Sequence, residues 1–229
     1  KTRFNISVPK NKLVKFDGLE GSGYSNTYVI GAPLTIRKLY HNLGVDPDTG
    51  LYQFEDYNND GIINIDDRQW IQDTAPSFFG GLGNTLSYKN WTFDVFLNFK
   101  KQNSTGDLLL SGFNPGFGLT NQHVSALDRW QQVGDEAFVQ RYSIGSQGAS
   151  NDNNSSRIYT NTSFIRLKTI SLSYDLPKDI ISGLHTRFYV QGQNLFYVYT
   201  TKYATDPEKP SSTGLPPLRQ FTLGLEIGF

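Results

Sequence analysis

Gln220-Phe-Thr-Leu-Gly-Leu-Glu-Ile-Gly-Phe229 is the stretch of this 229-residue chain that decides its fold. Apolar residues alternate with small or polar ones, so an extended strand over this stretch has one wholly apolar face. Strands of about 9–11 residues cross a bilayer at a tilt, with apolar side chains outward and polar ones inward. The edge strand of a soluble sandwich alternates in the same way, so this strand alone leaves both interpretations open. The apolar face comprises Phe221, Leu223, Leu225, Ile227 and Phe229.

Composition narrows the class of protein. The formal net charge is zero, so no electrostatic argument favours a nucleic-acid partner. The absence of Cys excludes a disulfide framework, thiol catalysis and thiolate metal sites. The 16 Phe and 13 Tyr suit both the aromatic girdle of a membrane barrel and carbohydrate-facing loops. Because the chain contains no Met and opens on no signal segment, we expect it to be the C-terminal piece of a longer protein.

Alternation also predicts strands upstream of the terminal one. Gly81–Tyr88 and Trp91–Lys101 predict a hairpin, because only Lys89-Asn90 separates them and two residues suffice for a tight turn. Thr162–Leu176 predicts a long strand whose phase slips once, which indicates a bulge near Lys168-Thr169. Three further strands are predicted over Thr186–Leu195, Arg3–Phe16 and Leu34–Asn42.

The connections between these strands alternate in length. Lys89-Asn90 and Pro177–Leu184 are short, whereas Asn103–Asn161 and Thr200–Arg219 are long. Outer-membrane barrels have short periplasmic turns and longer extracellular loops, while a soluble sandwich has no reason to sort its loops in this way. The sorting therefore favours an all-β fold, an antiparallel transmembrane β-barrel, and it places Asp56–Asp67 on the outer side.

Several short motifs, in their order and spacing across nearly the whole chain, resemble one known family. They are Gly44-Val-Asp-Pro-Asp-Thr-Gly50, Asp60-Gly61, Pro76-Ser-Phe-Phe-Gly-Gly-Leu-Gly-Asn84, Tyr88-Lys89, Leu127-Asp-Arg-Trp130, Phe164-Ile-Arg-Leu-Lys168, Ser171-Leu-Ser-Tyr174, Gly192-Gln-Asn-Leu195 and the terminal Phe229. The chain resembles the C-terminal part of the SusC/RagA-type TonB-linked outer-membrane transporters of Bacteroidetes.

This resemblance implies that residues 1–229 form the C-terminal part of one outer-membrane barrel domain of about 22 strands with a plugged lumen. It implies nutrient import, of glycans or peptides, energised by the TonB complex through an N-terminal plug portion that this chain does not show. It also implies a SusD-like surface lipoprotein that closes over the barrel as a lid. Phe229 would then act as the barrel-assembly signal.

One motif carries chemistry of its own. Residues Asp56–Asp67 have the spacing of an EF-hand calcium loop, with Gly61 at the sharp turn and Asp67 where Glu is usual. Oxygen ligands at alternate positions of a tight loop suit a hard cation, so a structural Ca²⁺ is predicted. The alternative is a plain loop whose side chains accept hydrogen bonds from their own backbone. The predicted ligands are Asp56, Asn58, Asp60, the Ile62 carbonyl, Asn64 and Asp67.

No catalytic motif is present, and we expect a protein that is not an enzyme. His41, His123 and His185 are far apart in the sequence, and neither His-Glu-x-x-His nor Gly-x-Ser-x-Gly occurs.

The long connection Asn103–Asn161 is predicted to be an extracellular loop that contacts substrate or the lid, since long irregular connections are usually functional or disordered. Phe113, Phe117 and Trp130 are the residues proposed for that contact, because aromatic planes stack on sugars and bury well. The alternative is that they pack the loop on itself, with Trp130 in a short helix over Asn121–Gln132.

Two other functions compete with transport. A soluble calcium-binding β-sandwich, such as a carbohydrate-binding module, would also use a calcium loop and surface aromatics. A purely structural barrel is the third hypothesis. The sorted loops and the terminal Phe229 argue against the soluble module.

Overall fold

The computed structural model describes residues 1–106, 115, 121–122, 124–143, 149–177, 180, 184–201, 206–208 and 215–228, which fold mainly into antiparallel β-structure. In chain order the strands are β1 (Thr2–Ser7), β2 (Ile36–Leu39), β3 (Asn42–Val45), β4 (Tyr52–Phe54), β5 (Trp70–Asp73), β6 (Phe78–Tyr88), β7 (Trp91–Lys101), β8 (Asn103–Thr105), β9 (Tyr159–Asn161), β10 (Phe164–Asp175), β11 (His185–Tyr199) and β12 (Gln220–Gly228). Six of them form one sheet in the order β1-β6-β7-β10-β11-β12, and the others pair as β2–β5, β3–β4 and β8–β9.

The predicted hairpin and bulge are both confirmed. Tyr88 of β6 pairs with Trp91 of β7, and Lys89 between them takes the positive φ of 53° that tight hairpin turns need. In β10 the register toward both neighbouring strands shifts between Leu167 and Thr169. Against β7, Lys168 is the additional residue of a bulge.

The main sheet has one apolar and one polar face. Because successive side chains of a strand point to opposite faces, residues paired directly across the sheet share a face. One row of paired residues is apolar in every strand that it crosses, from β6 to β12. This row consists of Leu86, Phe93, Leu172, Val190 and Leu223.

The neighbouring row is polar throughout, although it is displaced by only one residue in each strand. It consists of Thr85, Asp94, Ser171, Gln191 and Thr222. The apolar face is not covered by the described residues, and the Leu223 side chain on it is 86% exposed. The sheet therefore presents an apolar surface on one side and a polar surface on the other.

Because neighbouring strands run antiparallel, the connections lie along the two opposite margins of the sheet where the strands end. The turn at 89–90 and the connection 176–184 lie at one of them, the short-turn edge. The connections 8–77, 102–163 and 200–219 lie at the other, the long-loop edge. The predicted sorting of connections by length is thus confirmed, with the loop Asp56–Asp67 on the long side.

The buried apolar core of the described chain lies mostly in the connections and not in the sheet. Of the buried hydrophobic residues, only Phe164 belongs to the six-stranded sheet. The others are Leu19, Ile36, Leu39, Tyr40, Tyr52, Val139 and Ile158. The long-loop edge therefore carries a packed cap built from the short strand pairs.

Three local predictions were wrong in extent. The first strand ends at Ser7 instead of continuing to Phe16, and Leu34–Asn42 contains only the short strand β2. The predicted helix over Asn121–Gln132 is a short 3₁₀ segment, Val124–Asp128, which ends before Trp130. Among the described residues, no helix is long and apolar enough to cross a membrane.

The antiparallel β fold class is confirmed. The described strands form an open sheet whose outer strands are β1 and β12, so barrel closure stays a prediction.

Close packing on the polar face yields a prediction at Gly224. A Cβ built on Gly224 would lie 2.1 Å from Cζ of Tyr189, which pairs with it across β11 and β12. We expect Gly224→Ala to destabilise the full-length folded protein by about 1–3 kcal/mol in urea unfolding, because the ring has to move. Gly228→Ala is the matched control, because its Cβ would meet its nearest atom at an ordinary 3.7 Å. If Tyr189→Ala fails to relieve the Gly224→Ala defect, this steric explanation is wrong.

Candidate functional site at the long-loop edge

The loop predicted to bind calcium is a tight turn held by its own side chains. Asp56 accepts hydrogen bonds from the backbone N–H groups of Asp60 at 3.3 Å and Gly61 at 2.8 Å. Gly61 has a φ of +79°, a conformation that a side chain would strain, so the predicted sharp turn at this glycine is confirmed.

Asp67 closes this loop from inside. Its buried carboxylate accepts the N–H groups of Tyr57 at 2.9 Å and Asn64 at 2.8 Å. Asn64 in turn accepts from the N–H of Asp66, which completes a capping box on the 3₁₀ turn Ile65–Asp67. These N–H groups, that of Asn64 first, favour the ionised carboxylate and lower the pKa of Asp67.

The other predicted ligands also bind within the loop. Asn58 accepts from the N–H of Asp60 at 3.0 Å and donates to the Asp60 carboxylate at 2.8 Å, and the Ile62 carbonyl accepts from the Asn64 side chain at 3.4 Å. These bonds match the alternative of a loop capped by its own side chains. Among the described residues, no three His, Cys, Asp or Glu side chains are arranged to hold a metal ion. Calcium binding stays a prediction.

Trp130 packs against another connection of the cap. Its indole N–H donates to the Pro47 carbonyl at 2.9 Å, and a Cβ on Gly50 would lie 2.5 Å from its ring. Gly50 has a φ of +70°, so both its conformation and the ring above it require glycine. Contact of Trp130 with substrate or lid stays a prediction. Phe113, Phe117 and Phe229 lie outside the described residues.

The sequence analysis missed a buried ion pair where β10 meets the connection 200–219. Arg166 is 1% exposed and Asp206 is 2% exposed, and the Arg166 Nη2 lies 2.6 Å from both Asp206 carboxylate oxygens. The guanidinium also lies over the Tyr197 ring, with Cζ 4.7 Å from the centroid. Since a buried charge is costly without its partner, this pair holds the connection against the sheet.

Three further contacts fasten the same segment. Glu208 lies 2.7 Å from Nζ of Lys168, and 3.1 Å from Nε of Arg166 in an ion-pair contact without hydrogen-bond geometry. Gln102 donates from its side chain to the Pro207 carbonyl at 2.9 Å. The segment 206–208 is therefore clamped to the polar face of the sheet near the long-loop edge.

A second buried ion pair organises the cap itself. Arg157 donates from Nε to Asp152 at 2.7 Å, and its guanidinium lies 4.7 Å from the centroid of the Tyr52 ring. Burial raises the pKa of Tyr52 to about 12. The pair joins β4 to the helical turn Ala149–Asp152.

The sequence contained a signal for one residue of the Arg166–Asp206 ion pair. Arg166 stands between Ile165 and Leu167, so alternation assigns it to the polar face of a strand. Its partner carried no such signal, because Asp206 is 40 residues away in a connection without periodicity.

Two curated relatives match the chain in sequence, both from Formosa agariphila. TonB-dependent receptor P3 is 31% identical over 207 residues, which cover 82% of this chain and 20% of the receptor. TonB-dependent receptor P26 is 27% identical over 270 residues, covering 100% of this chain and 27% of that receptor. The chain thus spans about a quarter or less of the length of these relatives.

Solved structures match the fold over the whole chain. The RagAB peptide transporter superposes with a TM-score of 0.74 at 21% identity, and the RagAB peptide importer in its open-open state with 0.78 at 23%. Each match covers 100% of this chain and 27% or 26% of the solved chain, respectively. No family profile matches the chain.

The described residues define a class of β-protein with an antiparallel sheet, one apolar and one polar face, and connections sorted by length. The chain is a homologue of the TonB-dependent receptors, and its fold is that of part of the RagAB transporter. The resemblance to the family of TonB-linked outer-membrane transporters is thereby confirmed.

The buried ion pair yields a prediction for the connection 200–219. Asp206→Asn removes the buried carboxylate that pairs with Arg166 and leaves only the partly exposed Glu208 as a counter-charge, at an expected cost of up to about 3–5 kcal/mol. We expect proteases to cleave this connection faster in the folded full-length protein. Glu208→Gln is the matched control: that side chain is 29% exposed, so its loss is expected to cost less than about 1 kcal/mol. Equal cleavage rates in the two variants would contradict a clamp centred on Asp206.

Proposed function

We propose that this chain is the C-terminal barrel part of a SusC-like TonB-dependent transporter that imports nutrients across the outer membrane. The observation that carries the proposal is the pair of adjacent rows in the main sheet, one apolar and one polar in every strand from β6 to β12. Such rows are what a barrel wall needs between lipid and a polar lumen. The homology to TonB-dependent receptors supports the same function.

Strand length supports a membrane-spanning sheet. β6 and β7 have 11 residues each, β10 has 12, β11 has 15 and β12 has 9, against the about 9–11 that a tilted spanning strand requires. Since an unpaired strand edge is costly in lipid, β1 and β12 pair with further strands in the proposed barrel.

Aromatic residues border the apolar face, as in the girdles of outer-membrane barrels. At the short-turn edge, the Trp91 and Tyr174 rings lie 4.7 Å apart, next to Tyr88. At the long-loop edge, the Phe78 and Phe99 rings meet edge to face at 6.2 Å. One aromatic group thus lies at each end of the apolar face, which supports a lipid band between them, with the long loops outside the cell.

The soluble sandwich, the competing function, needs a second sheet packed on the apolar face. The described residues supply none, and Leu172, at the centre of that face, is exposed. A sandwich also offers no reason for the long connections to share one edge. Transport is therefore the better-supported function.

The assignment of the β12 side chains to the apolar and polar faces provides the test of this proposal. Leu225 lies on the apolar face and Thr222 on the polar face, by their pairing with Phe188 and Gln191. In the full-length protein, we expect Leu225→Arg to lower the amount of folded protein in the outer membrane, because a charge on the lipid side costs about 2–4 kcal/mol near the bilayer midplane. Thr222→Arg is the matched control and Glu226→Gln a mild one. Equal losses for Leu225→Arg and Thr222→Arg would mean that the facing is wrong.

We further propose that the transporter takes up peptides or glycans, with a SusD-like lipoprotein as its lid and the TonB complex as its energy source. RagAB, which matches this fold, is described as a peptide transporter. Exposed apolar side chains between residues 124 and 142 support a protein partner at the long-loop edge. These side chains are Val124, Leu127, Val133 and Tyr142. Contiguous exposed apolar surface is typical of interaction sites.

Lid contact through this segment can be measured directly. Leu127 and Val133 are 68% and 70% exposed, so Leu127→Asp with Val133→Asp adds charge without disturbing a core. We expect co-purification of the lid lipoprotein to fall about tenfold, because two exposed apolar contacts are replaced by charges that the interface must desolvate. Val14→Asp, in another connection of the same edge, should leave co-purification unchanged. If the double variant retains the lid lipoprotein as well as the Val14→Asp variant does, this surface is excluded as the lid-binding site.

Calcium binding by the loop Asp56–Asp67 is a separate proposal. The spacing of the oxygen-bearing residues along the sequence supports it, and a carboxylate oxygen that accepts one N–H keeps a second lone pair for a cation. We expect millimolar Ca²⁺ to slow proteolysis of residues 56–67, chelator to reverse the effect, and Asp60→Ala to abolish it. The matched control is Asp66→Ala, at a position outside the predicted ligand set. A cleavage rate that does not change with Ca²⁺ would support a loop that is capped only by its own side chains.

A further inference from the structure

The long-loop edge carries an apolar groove on the lipid-facing side of the sheet. The groove has a volume of about 320 Å³, and four of its lining side chains, Phe78, Phe99, Ile165 and Val198, belong to the apolar face by register. Phe99 is held between Phe4, stacked at 6.0 Å, and Phe78, edge to face at 6.2 Å. The groove thus continues the apolar face up to the point where the strands end.

Lysines gather where this groove opens. Lys101, the last residue of β7, lines the groove and also a neighbouring cavity of about 870 Å³, which Lys10 and Lys12 line as well. The three ammonium groups form no ion pair with a described carboxylate. The carboxylate in the cavity wall, Asp73, instead accepts hydrogen bonds from Thr35 and Ala75. The cavity therefore has a net positive charge.

We propose that groove and lysines together bind one anionic membrane lipid, with an acyl chain in the groove and a head-group phosphate on Lys101, Lys10 and Lys12. This inference rests on the proposed function, because it needs the apolar face to lie in a bilayer. Lysines beside the end of a membrane-spanning segment place their methylene stems along apolar surface and their ammonium groups at the head groups. Basic pockets at that depth recognise phosphate-bearing lipid heads.

The two parts of the site define the occupant by charge and shape. An inorganic phosphate ion would use the lysines but leave the groove empty. A zwitterionic lipid would fill the groove and present a compensated charge to the lysines. An acidic peptide would bind from the lumen or the aqueous side, whereas this groove belongs to the opposite, apolar face. A lipid with an anionic head group matches both parts.

Native mass spectrometry of the full-length protein, extracted from membranes in detergent, tests the proposal. The probes are phosphatidylglycerol and phosphatidylcholine with identical acyl chains, and inorganic phosphate as competitor. We expect the wild type to retain phosphatidylglycerol in preference to phosphatidylcholine and in the presence of phosphate. Lys101→Gln should weaken phosphatidylglycerol retention about fivefold, the effect of about one lysine at a membrane surface.

Matched variants separate the two parts of the site. Lys89→Gln removes the same charge at the short-turn edge and should change nothing. Val198→Trp fills the groove without changing charge and should weaken both lipids alike. Equal retention by the Lys101→Gln and Lys89→Gln variants, displacement of the lipid by phosphate, or no preference for phosphatidylglycerol overturns the lipid site but leaves the transporter intact. Absence of the wild-type protein from the membrane fraction overturns both proposals.

Discussion

The structure depends on one constraint: the strands of the main sheet stay in a register that keeps apolar side chains paired with apolar ones and polar side chains paired with polar ones. A slip by one residue in any strand would exchange its apolar and polar sides. The bulge at Lys168 serves this constraint, because it brings Ile165 and Leu167 onto the same face as Ile170 and Leu172. Without the extra residue, one half of β10 would present its apolar side chains to the polar side.

The polar side of β10 links the sheet to the connection 200–219. Arg166 and Lys168 both reach the segment 206–208, where they meet Asp206 and Glu208. The sheet thus contributes buried charge, and the connection supplies the counter-charge. The apolar core lies in the cap. The described chain therefore consists of a sheet with one apolar and one polar face, and a cap with a packed core at its long-loop edge. That division suits a transporter whose wall contacts lipid and whose loops contact ligand or partner.

Sequence reasoning succeeded where a local rule acts alone. The hairpin at Lys89, the bulge in β10 and the terminal strand all follow from alternation and turn length. It failed beyond Ser7 and over Asn121–Gln132: in the described part of the chain the first strand ends at Ser7, and only a 3₁₀ segment forms over Val124–Asp128. The loop Asp56–Asp67 was placed correctly as a turn, but its oxygens suit both a cation and their own backbone, so the pattern could not choose between them.

By itself the sequence determined which side chains share a face of each strand and which connections share an edge, because both follow from the two-residue period and from antiparallel order. Only the tertiary structure decided which distant residues meet: Arg166 with Asp206, Trp130 with Gly50, and Lys101 with Lys10 and Lys12 around one cavity. The physical reason is that periodicity encodes the direction of a side chain relative to its own backbone. The path of a long connection depends instead on packing and charge pairing with segments far away in the chain.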